Sequence, residues 1–339
     1  MKALFIGGTG IISADAVKAA LAKGWDVTVL NRGLSSRSQP GGEAALPEGA
    51  MAIECDARDE SSMRRVMSGK RYDVVANFIG YLPEQVEQDV RVFGGICGQY
   101  IFVSTCAVYD KPGASYLATE STPLRNANSV YASRKIACEE ALNRAFRERD
   151  FPVTIVRPNW TYCKGTLPFI ATPWRQPWTL IHRLKRGLPI LMPGDGTGRF
   201  AITHSRDFAE GFAGLMGNAA ALGHAFHIAG DEALSWNQYL AIIERATGYE
   251  ADVVNVATSF ICKVVPEWHD DLIGDKTANF ALDNAKIKGC VPGFAARTTY
   301  AAGARETIEY LATRLELQVV DEEYMARYDR VFDAYRPCM

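Results

Sequence analysis

Short apolar runs alternate with longer stretches of mixed polarity along the first half of the chain. A short apolar run between turn residues is typical of a buried strand, and the stretches between these runs are long enough for helices. Strands that alternate with helices predict a parallel sheet with helices on both faces. We therefore predict an α/β fold with a Rossmann-type doubly wound parallel sheet. The predicted strands are Lys2–Ile6, Trp25–Leu30, Ala52–Asp56, Asp73–Ile79, Tyr100–Val103 and Phe151–Val156.

The first predicted strand runs directly into a glycine-rich turn, which a helical stretch over 14–23 follows. The turn reads Gly7-Gly8-Thr9-Gly10-Ile11-Ile12. A glycine turn lets the backbone approach a pyrophosphate closely, and the positive end of the next helix faces its charge. The alternative is an ordinary corner between a strand and a helix. The strands that follow favour a dinucleotide site.

The residues at the ends of the second and third strands indicate which dinucleotide the site binds. The second strand ends in Asn31-Arg32, where an acidic residue would bind the ribose hydroxyls of NAD. Because no acidic residue stands there and Arg32 can pair with a 2′-phosphate, we favour NADP over NAD; the alternative is a solvated turn arginine. Asp56 ends the third strand, where its carboxylate can accept a hydrogen bond from the adenine amino group. It can also cap the helix that begins near Glu60.

A tyrosine, a lysine and a threonine form the candidate catalytic group. Tyr131 and Lys135 are four residues apart, so on a helix they share a face. A phenol has an ordinary pKa of about 10, and a nearby ammonium is expected to lower it and make the phenol useful in acid–base catalysis. Thr105 follows the fifth strand and offers a hydroxyl to orient the substrate oxygen. By themselves such pairs are common on helix surfaces.

The order of these motifs resembles the extended short-chain dehydrogenases/reductases of the NAD-dependent epimerase/dehydratase type. The resemblance runs from Gly7-x-x-Gly10 through Ser104-Thr105-x-x-Val108-Tyr109 and Tyr131-x-x-x-Lys135 to Arg157-Pro158, and more loosely to the C-terminus. It implies that Thr105, and not Ser104, is the catalytic hydroxyl, that Lys135 also holds the nicotinamide ribose, and that the protein is a homodimer. The residues that it implies for NAD(P) binding are Gly7, Thr9, Gly10, Ile11, Ile12, Asn31, Arg32, Asp56, Ala57, Phe78, Ile79, Gly80, Ser104, Tyr131, Lys135 and Pro158.

The second half of the chain is expected to form a smaller substrate-binding lobe. We assign residues 1–160 to the dinucleotide-binding domain, to which the chain returns around 200–230, and 161–339 mainly to the substrate lobe. The resemblance implies substrate contacts by Thr105, Asn159, Trp160, Arg199 and His204, with Arg199 as a candidate for a nucleotide diphosphate. A second diphosphate arginine is missing, and Lys276 or His269 are the available substitutes. The aromatic residues between Trp160 and Trp178 can line the pocket, although packing or a dimer contact suits most of them better.

Composition narrows the class of protein. The chain has 339 residues, 48% hydrophobic and 22% charged, and its net charge of −2 gives no electrostatic motive for broad nucleic-acid binding. No apolar run approaches the roughly 20 residues of a membrane span, and no signal-peptide pattern precedes the first strand, so we expect a cytoplasmic protein. The spacing of the eight cysteines predicts no metal or redox site, and His224 and His227 are interpreted as structural. Residues 35–49 are expected to form a surface loop, and 322–335 a packed helix rather than a lid.

The resemblance allows four functional hypotheses for this chain. Related 4,6-dehydratases carry Asp-Glu directly after the catalytic threonine, whereas this chain has Cys106-Ala107, which disfavours dehydration. A sugar 4-epimerase and a carbonyl reductase need the same three residues and differ in whether the cofactor stays bound. A non-catalytic relative that binds nucleic acid, like certain chloroplast RNA-binding proteins, is disfavoured because such relatives lose the catalytic residues. We therefore expect a small-molecule enzyme that oxidises or reduces a secondary alcohol, with epimerisation of a nucleotide-sugar as the first hypothesis.

Overall fold

The computed structural model describes residues 1–33, 46–113 and 115–336. Within the predicted surface loop over 35–49, residues 35–45 lie outside the described residues. Among the described helices, none combines the length and the apolarity that a membrane crossing needs.

A seven-stranded sheet forms the centre of the molecule, with the strand order β11-β7-β5-β4-β1-β2-β3. Its pairings are all parallel, which confirms the predicted Rossmann-type fold. The first predicted strand has the predicted bounds, and the boundaries of the other five moved by one to three residues; the fifth strand begins three residues earlier, and the sixth runs from Val153 to Pro158. The strands are β1 Lys2–Ile6, β2 Asp26–Asn31, β3 Met51–Glu54, β4 Tyr72–Asn77, β5 Cys97–Val103, β6 Leu117–Ala118, β7 Val153–Pro158, β8 Trp160–Tyr162, β9 Ile190–Pro193, β10 Arg199–His204, β11 Ala225–Ile228, β12 Ala233–Ser235, β13 Val253–Val256 and β14 Ala281–Leu282.

Helices cover both faces of this sheet, and their buried side chains form two clusters, one on each face. On one face α1 packs against α6, and on the other α3 packs against α4. The helices are α1 Ser13–Ala22, α2 Glu60–Met67, α3 Pro83–Phe93, α4 Val130–Arg149, α5 Trp178–Lys185, α6 Ser205–Leu215, α7 Trp236–Thr247, α8 Thr258–Val264, α9 His269–Asp271, α10 Ala285–Cys290, α11 Tyr300–Ala312 and α12 Glu322–Tyr335.

The chain leaves the seven-stranded sheet after Pro158 and returns to it at β11. The residues between and after these points build most of three small sheets, in one of which β14 pairs with β6, and most of a third hydrophobic cluster, which contains Trp236, Tyr239 and Tyr300. A short π-helix, Leu272–Lys276, follows α9 directly. The division into two lobes at residue 160 stays a prediction.

The C-terminal helix α12 is packed. Tyr328, Val331 and Phe332 are buried, and the Tyr328 hydroxyl donates to the carbonyl oxygen of Ala171 at 2.7 Å. Ala171 has a positive φ of 54°, a strained backbone conformation for a residue with a side chain. The helix therefore holds the start of the loop that leads toward the cavity described below.

The two histidines interpreted as structural lie next to β11 and within it. His224 precedes the strand, and His227 lies inside it, fully buried. The Nε2 atom of His227 is 2.6 Å from the Tyr109 hydroxyl, and its Nδ1 atom is 3.0 Å from the carbonyl oxygen of Asp283. Both ring nitrogens therefore have protein partners, as expected of a structural histidine.

Candidate active site

A cavity of about 710 Å³ opens at the carboxyl ends of the central strands. This is the edge at which open parallel sheets bind ligands. The predicted residues that line it on the sheet side are Gly7, Gly10, Ile11, Ile12, Phe78, Ile79, Ser104, Thr105, Tyr131, Lys135 and Pro158.

The glycine turn requires glycine for steric reasons. Gly7 has φ +83°, and a Cβ atom there would lie 2.4 Å from Cγ2 of Ile79. A Cβ atom on Gly8 would lie 2.9 Å from both methyl groups of Val29. The backbone therefore passes closely between β4 and β2 before α1 begins, and leaves a bare surface at the helix N-terminus. This arrangement fits the pyrophosphate of a dinucleotide.

The two hydroxyl residues after β5 point in different directions. Ser104 is buried, and its Oγ atom donates to Oε1 of Glu139 at 2.5 Å. Glu139 also accepts three hydrogen bonds from Nε and Nη2 of Arg157 and is itself fully buried. Thr105 lines the cavity together with Tyr131, and its hydroxyl lowers the pKa of the Tyr131 phenol. The structure thus places the Thr105 hydroxyl, and not that of Ser104, beside the candidate acid–base group.

Tyr131 stands in the first turn of α4. Ser129 caps this helix, and Asp270 accepts hydrogen bonds from the Ser129 hydroxyl at 2.5 Å and from the backbone N–H of Val130 at 3.0 Å. A carboxylate at a helix N-terminus is stabilising. The ring of Tyr131 keeps 39% of its surface exposed because it faces the cavity.

Lys135 does not act on Tyr131 as the sequence predicted. Its ammonium is buried and donates to the carbonyl oxygens of Gly80 at 2.7 Å and Val103 at 2.8 Å. Desolvation, and secondly the neighbouring Tyr81, raise the pKa of Tyr131, whereas the hydrogen bond with Thr105 lowers it. The expected lowering by Lys135 is therefore wrong for this structure, because two backbone carbonyls hold the ammonium. Burial lowers the pKa of Lys135 itself to about 8.

A buried carboxyl group supports the loop that carries Gly80. Asn77 ends β4, and its Oδ1 atom accepts hydrogen bonds from the backbone N–H groups of Ile79 and Gly80, both at 2.8 Å. The Nδ2 atom of Asn77 in turn donates to Asp89 at 2.6 Å, and the Tyr100 hydroxyl donates to the same oxygen at 2.5 Å. Desolvation raises the pKa of Asp89 to about 7. Asp89 is thus connected, through Asn77, to the loop whose carbonyl holds Lys135.

Six residues predicted for cofactor binding do not line this cavity: Thr9, Asn31, Arg32, Asp56, Ala57 and Gly80. Asn31 accepts a hydrogen bond from the N–H of Gly33, and Asp56 accepts one from the N–H of Arg58, so both shape turns at strand ends. The suggestion that Asp56 caps the next helix is wrong, because Asp59 caps it. Asp56, Arg32 and Asn31 remain at the sheet edge where an adenosine would lie.

The family model for the NAD dependent epimerase/dehydratase family matches residues 3–229. The chain belongs to this family. Among characterised members, 2′-dehydrokanamycin reductase of Streptomyces kanamyceticus is 24% identical over 76% of this chain and 69% of its own length. UDP-glucose 4-epimerase of Erwinia amylovora is 25% identical over 83% of this chain and 93% of its own length. The chloroplast stem-loop binding protein of 41 kDa b of Arabidopsis thaliana is 24% identical over 75% of this chain and 65% of its own length.

Solved structures of family members share the fold. UDP-glucuronic acid 4-epimerase from Bacillus cereus, in complex with NAD, superposes with a TM-score of 0.74 over 93% of this chain and 98% of its own, at 16% identity. The dTDP-glucose 4,6-dehydratase from Bacillus anthracis, also with NAD, reaches 0.75 over the same shares, at 17% identity. The chain is therefore a member of an NAD(P)-dependent enzyme family with the complete Thr–Tyr–Lys group.

Only some of the residues that the resemblance implied for substrate binding line the cavity. Asn159 and Trp160 line the cavity, and the Nδ2 atom of Asn159 is buried without a hydrogen-bond partner among the described residues. Arg199 begins β10, is exposed and lies outside the cavity. His204 also lies outside it: its Nδ1 atom accepts from the N–H of Arg206, and its ring contacts the edge of Tyr162. The roles predicted for Arg199 and His204 therefore gain no support from their positions.

Several wall residues escaped the sequence analysis because they come from distant segments. The loop over 172–176 contributes Trp174 and Arg175, and α12 contributes Tyr324 and Arg327. The helix expected only to pack therefore also forms part of the wall. No local motif marks these residues. The remaining unpredicted wall residues are Ser13, Tyr81, Val103, Cys106, Thr161, Thr172, Pro173, Gln176, Trp268, Asp271, Asp275 and Asp321.

Lys276, one of the two suggested substitutes for the missing arginine, does reach the cavity. Its ammonium lies 3.8 Å above the ring of Trp160 and pairs with Asp271. His269, the other substitute, is not among the wall residues.

Proposed function

We propose that the protein catalyses NAD(P)-dependent epimerisation of a sugar or nucleotide-sugar through a transient keto intermediate. The observation that carries the proposal is that Thr105, Tyr131 and Lys135 line the same cavity as the glycine turn. The residues around the glycine turn would hold an oxidised nicotinamide dinucleotide, which would supply an acceptor for the hydride of the carbinol carbon and then its return. Tyr131, in its phenolate form, removes the proton from the substrate hydroxyl and later returns it, and Thr105 orients that oxygen.

Cys106 and Ala107 support epimerisation over dehydration. Both are buried directly after Thr105, where related dehydratases carry two carboxylates. Burial raises the pKa of the Cys106 thiol to about 12, so this group is a poor proton donor at neutral pH. The two residues needed to remove water from the neighbouring carbons are therefore missing from this segment.

A carbonyl reductase is the second candidate, and the position of Arg199 favours it. With Arg199 outside the cavity, one of the charges expected for a nucleotide diphosphate is absent from the wall. A substrate without a nucleotide needs no such charge. The similarity to 2′-dehydrokanamycin reductase points in the same direction.

Release of the cofactor separates the two candidates. The purified protein is denatured, and the nucleotide in the supernatant is identified by chromatography and mass spectrometry. Stoichiometric oxidised NAD(P), together with turnover of a sugar panel without added cofactor, supports epimerisation. A protein that releases none and consumes added NADPH with a ketone is a reductase, and the epimerase proposal then fails.

We also propose NADP as the preferred cofactor, a cytoplasmic location and a homodimer. Arg32, directly after β2, supports the NADP preference. The carboxylate of Glu54 lies close to Gly33 at the same sheet edge and is the group there that would instead suit NAD. Arg32→Ala should weaken NADP⁺ binding about tenfold or more and leave NAD⁺ binding unchanged, because only NADP carries the phosphate. Isothermal titration with both nucleotides measures this, and equal losses for the two would contradict the preference.

A further inference from the structure

An ion pair lies against the cavity wall beside the catalytic threonine. The ammonium of Lys111 is fully buried and pairs with Oδ1 of Asp275, whose side chain retains 20% exposure and lines the cavity. The Sγ atom of Cys106 lies 4.0 Å from the same oxygen and 3.8 Å from the Lys111 ammonium. Because Cys106 directly follows Thr105, the Asp275 carboxylate stands next to the place where the substrate oxygen is held.

Two further contacts fix the backbone around Asp275. The Nδ2 atom of Asn126 donates to the carbonyl oxygens of both Ala107 and Gly274, each at 2.7 Å. A Cβ atom at Gly274 would lie 2.8 Å from the carbonyl oxygen of Asn128, so the π-helix packs directly on the loop that leads into α4. The carboxylate is therefore held rigidly relative to Thr105 and Tyr131, as a recognition group needs to be.

The chemistry of the pair indicates what Asp275 can do. A carboxylate offers two acceptor oxygens, and one paired with an ammonium can still accept a charge-assisted hydrogen bond through its other oxygen. Its Oδ1 atom already serves Lys111, whereas no partner of Oδ2 occurs among the described residues. The side chain can therefore accept a hydrogen bond from a ligand in the cavity.

We infer that Asp275 binds a hydroxyl or ammonium group on the carbon next to the reacting one, so that the enzyme selects vicinal diols and amino alcohols. This inference rests on the proposed function, because it takes Thr105 and Tyr131 as the groups that hold the reacting oxygen. Asp275 is a specificity residue in this arrangement. The proton of the reacting hydroxyl still goes to Tyr131.

The test compares trans-1,2-cyclohexanediol and trans-2-aminocyclohexanol with cyclohexanol as probes. Oxidation is followed through the absorbance of NAD(P)H, which reports bound and released cofactor alike. The wild type should oxidise the two bifunctional probes about 10- to 100-fold faster than cyclohexanol, because cyclohexanol offers no second hydrogen-bond donor to the Asp275 carboxylate. Asp275→Ala should reduce this ratio to near one. Asp110→Ala, beside Lys111 but outside the cavity wall, is the matched control and should keep the ratio.

A second variant covers the risk that Asp275→Ala does not fold, since it leaves a buried ammonium unpaired. The double variant Lys111→Met/Asp275→Leu replaces the pair by apolar side chains of similar size, a change that proteins often tolerate. It should fold, as judged by circular dichroism and thermal unfolding, and still fail to discriminate between the probes. If its ratio equals that of the wild type, the pair is purely structural and the inference is overturned.

Two other results also overturn the inference. One is a wild type that does not distinguish the probes, including one that oxidises none of them. The other is incorporation of solvent deuterium at the carbon next to the carbonyl, lost in Asp275→Ala, which would make Asp275 a base instead. Failure of the proposed function is recognised separately: Tyr131→Phe would then oxidise the probes as well as the wild type, whatever the ratio at Asp275.

Discussion

The cofactor side and the substrate side of the cavity are built in different ways. On the cofactor side, the wall comes from the ends of neighbouring parallel strands, with Gly7, Phe78 and Ser104 each directly after its strand. On the substrate side, the wall comes from four segments that lie far apart in the chain: 158–161, 172–176, 268–276 and 321–327. The first side is fixed by the sheet, whereas the second depends on contacts such as that between Tyr328 and Ala171. Catalytic chemistry is therefore set by the sheet, and substrate choice by the packing of loops and of α12.

The largest effect is expected from Tyr131→Phe, on the boundary between the two sides. Loss of a general acid–base group costs about 10²- to 10⁴-fold in rate. We expect kcat to fall by that factor with little change in the free energy of unfolding, because the ring faces the cavity. Tyr116→Phe, an exposed tyrosine outside the wall, is the control. Near wild-type kcat in Tyr131→Phe would remove the phenol from the mechanism.

The cofactor side should show a pH dependence that originates at Asp89. Its pKa is about 7 in the folded protein against 3.8 for an ordinary aspartate, so the folded state binds more protons than the unfolded state between these values. The free energy of unfolding contributed by this group is therefore highest below pH 4 and falls as pH rises to 7, by up to about 4 kcal/mol.

Asp89→Asn should remove this pH dependence. The amide oxygen of asparagine can still accept from Asn77 and Tyr100, and no charge forms at high pH. Urea unfolding at pH 5 and pH 8 should show a smaller loss of stability in Asp89→Asn than in the wild type. Glu84→Gln, exposed on the same helix, should behave like the wild type. If Asp89→Asn loses as much stability between pH 5 and pH 8 as Glu84→Gln does, the pKa of Asp89 is an ordinary one.

A smaller effect is expected from Gly7→Ala. The positive φ and the 2.4 Å approach to Ile79 predict a loss of about 1–3 kcal/mol in the free energy of unfolding. Gly10→Ala, whose Cβ atom would meet only the Ser13 hydroxyl at 3.2 Å, should cost less. Chemical unfolding of both variants without added nucleotide gives the comparison. If Gly10→Ala is the more damaging, the turn is not held by the contact with Ile79.

The same contrast explains what the sequence could predict. The glycine turn and Thr105 each lie next to their strand, so local patterns were enough to find them. Asp275 could not be assigned to the cavity, because 275 − 105 = 170 positions separate it from Thr105 and only the packing of the π-helix brings them together. The pKa of Tyr131 was predicted in the wrong direction because helical spacing cannot show that Gly80 and Val103 hold the Lys135 ammonium. Sequence spacing shows which residues share a helix face, but it does not show which groups their side chains hydrogen-bond.

Arg199→Ala is expected to have the smallest effect and tests the substrate side directly. Arg199 is exposed and outside the cavity, so its removal should change KM by less than about twofold, as for a surface position. Arg175→Ala, in the loop held by α12, removes a charge from the wall itself and should raise KM severalfold more for an anionic substrate than for a neutral one. If instead Arg199→Ala raises KM and Arg175→Ala does not, β10 must approach the substrate in the bound state. The substrate side would then rearrange on binding, whereas the cofactor side would keep the geometry that the sheet gives it.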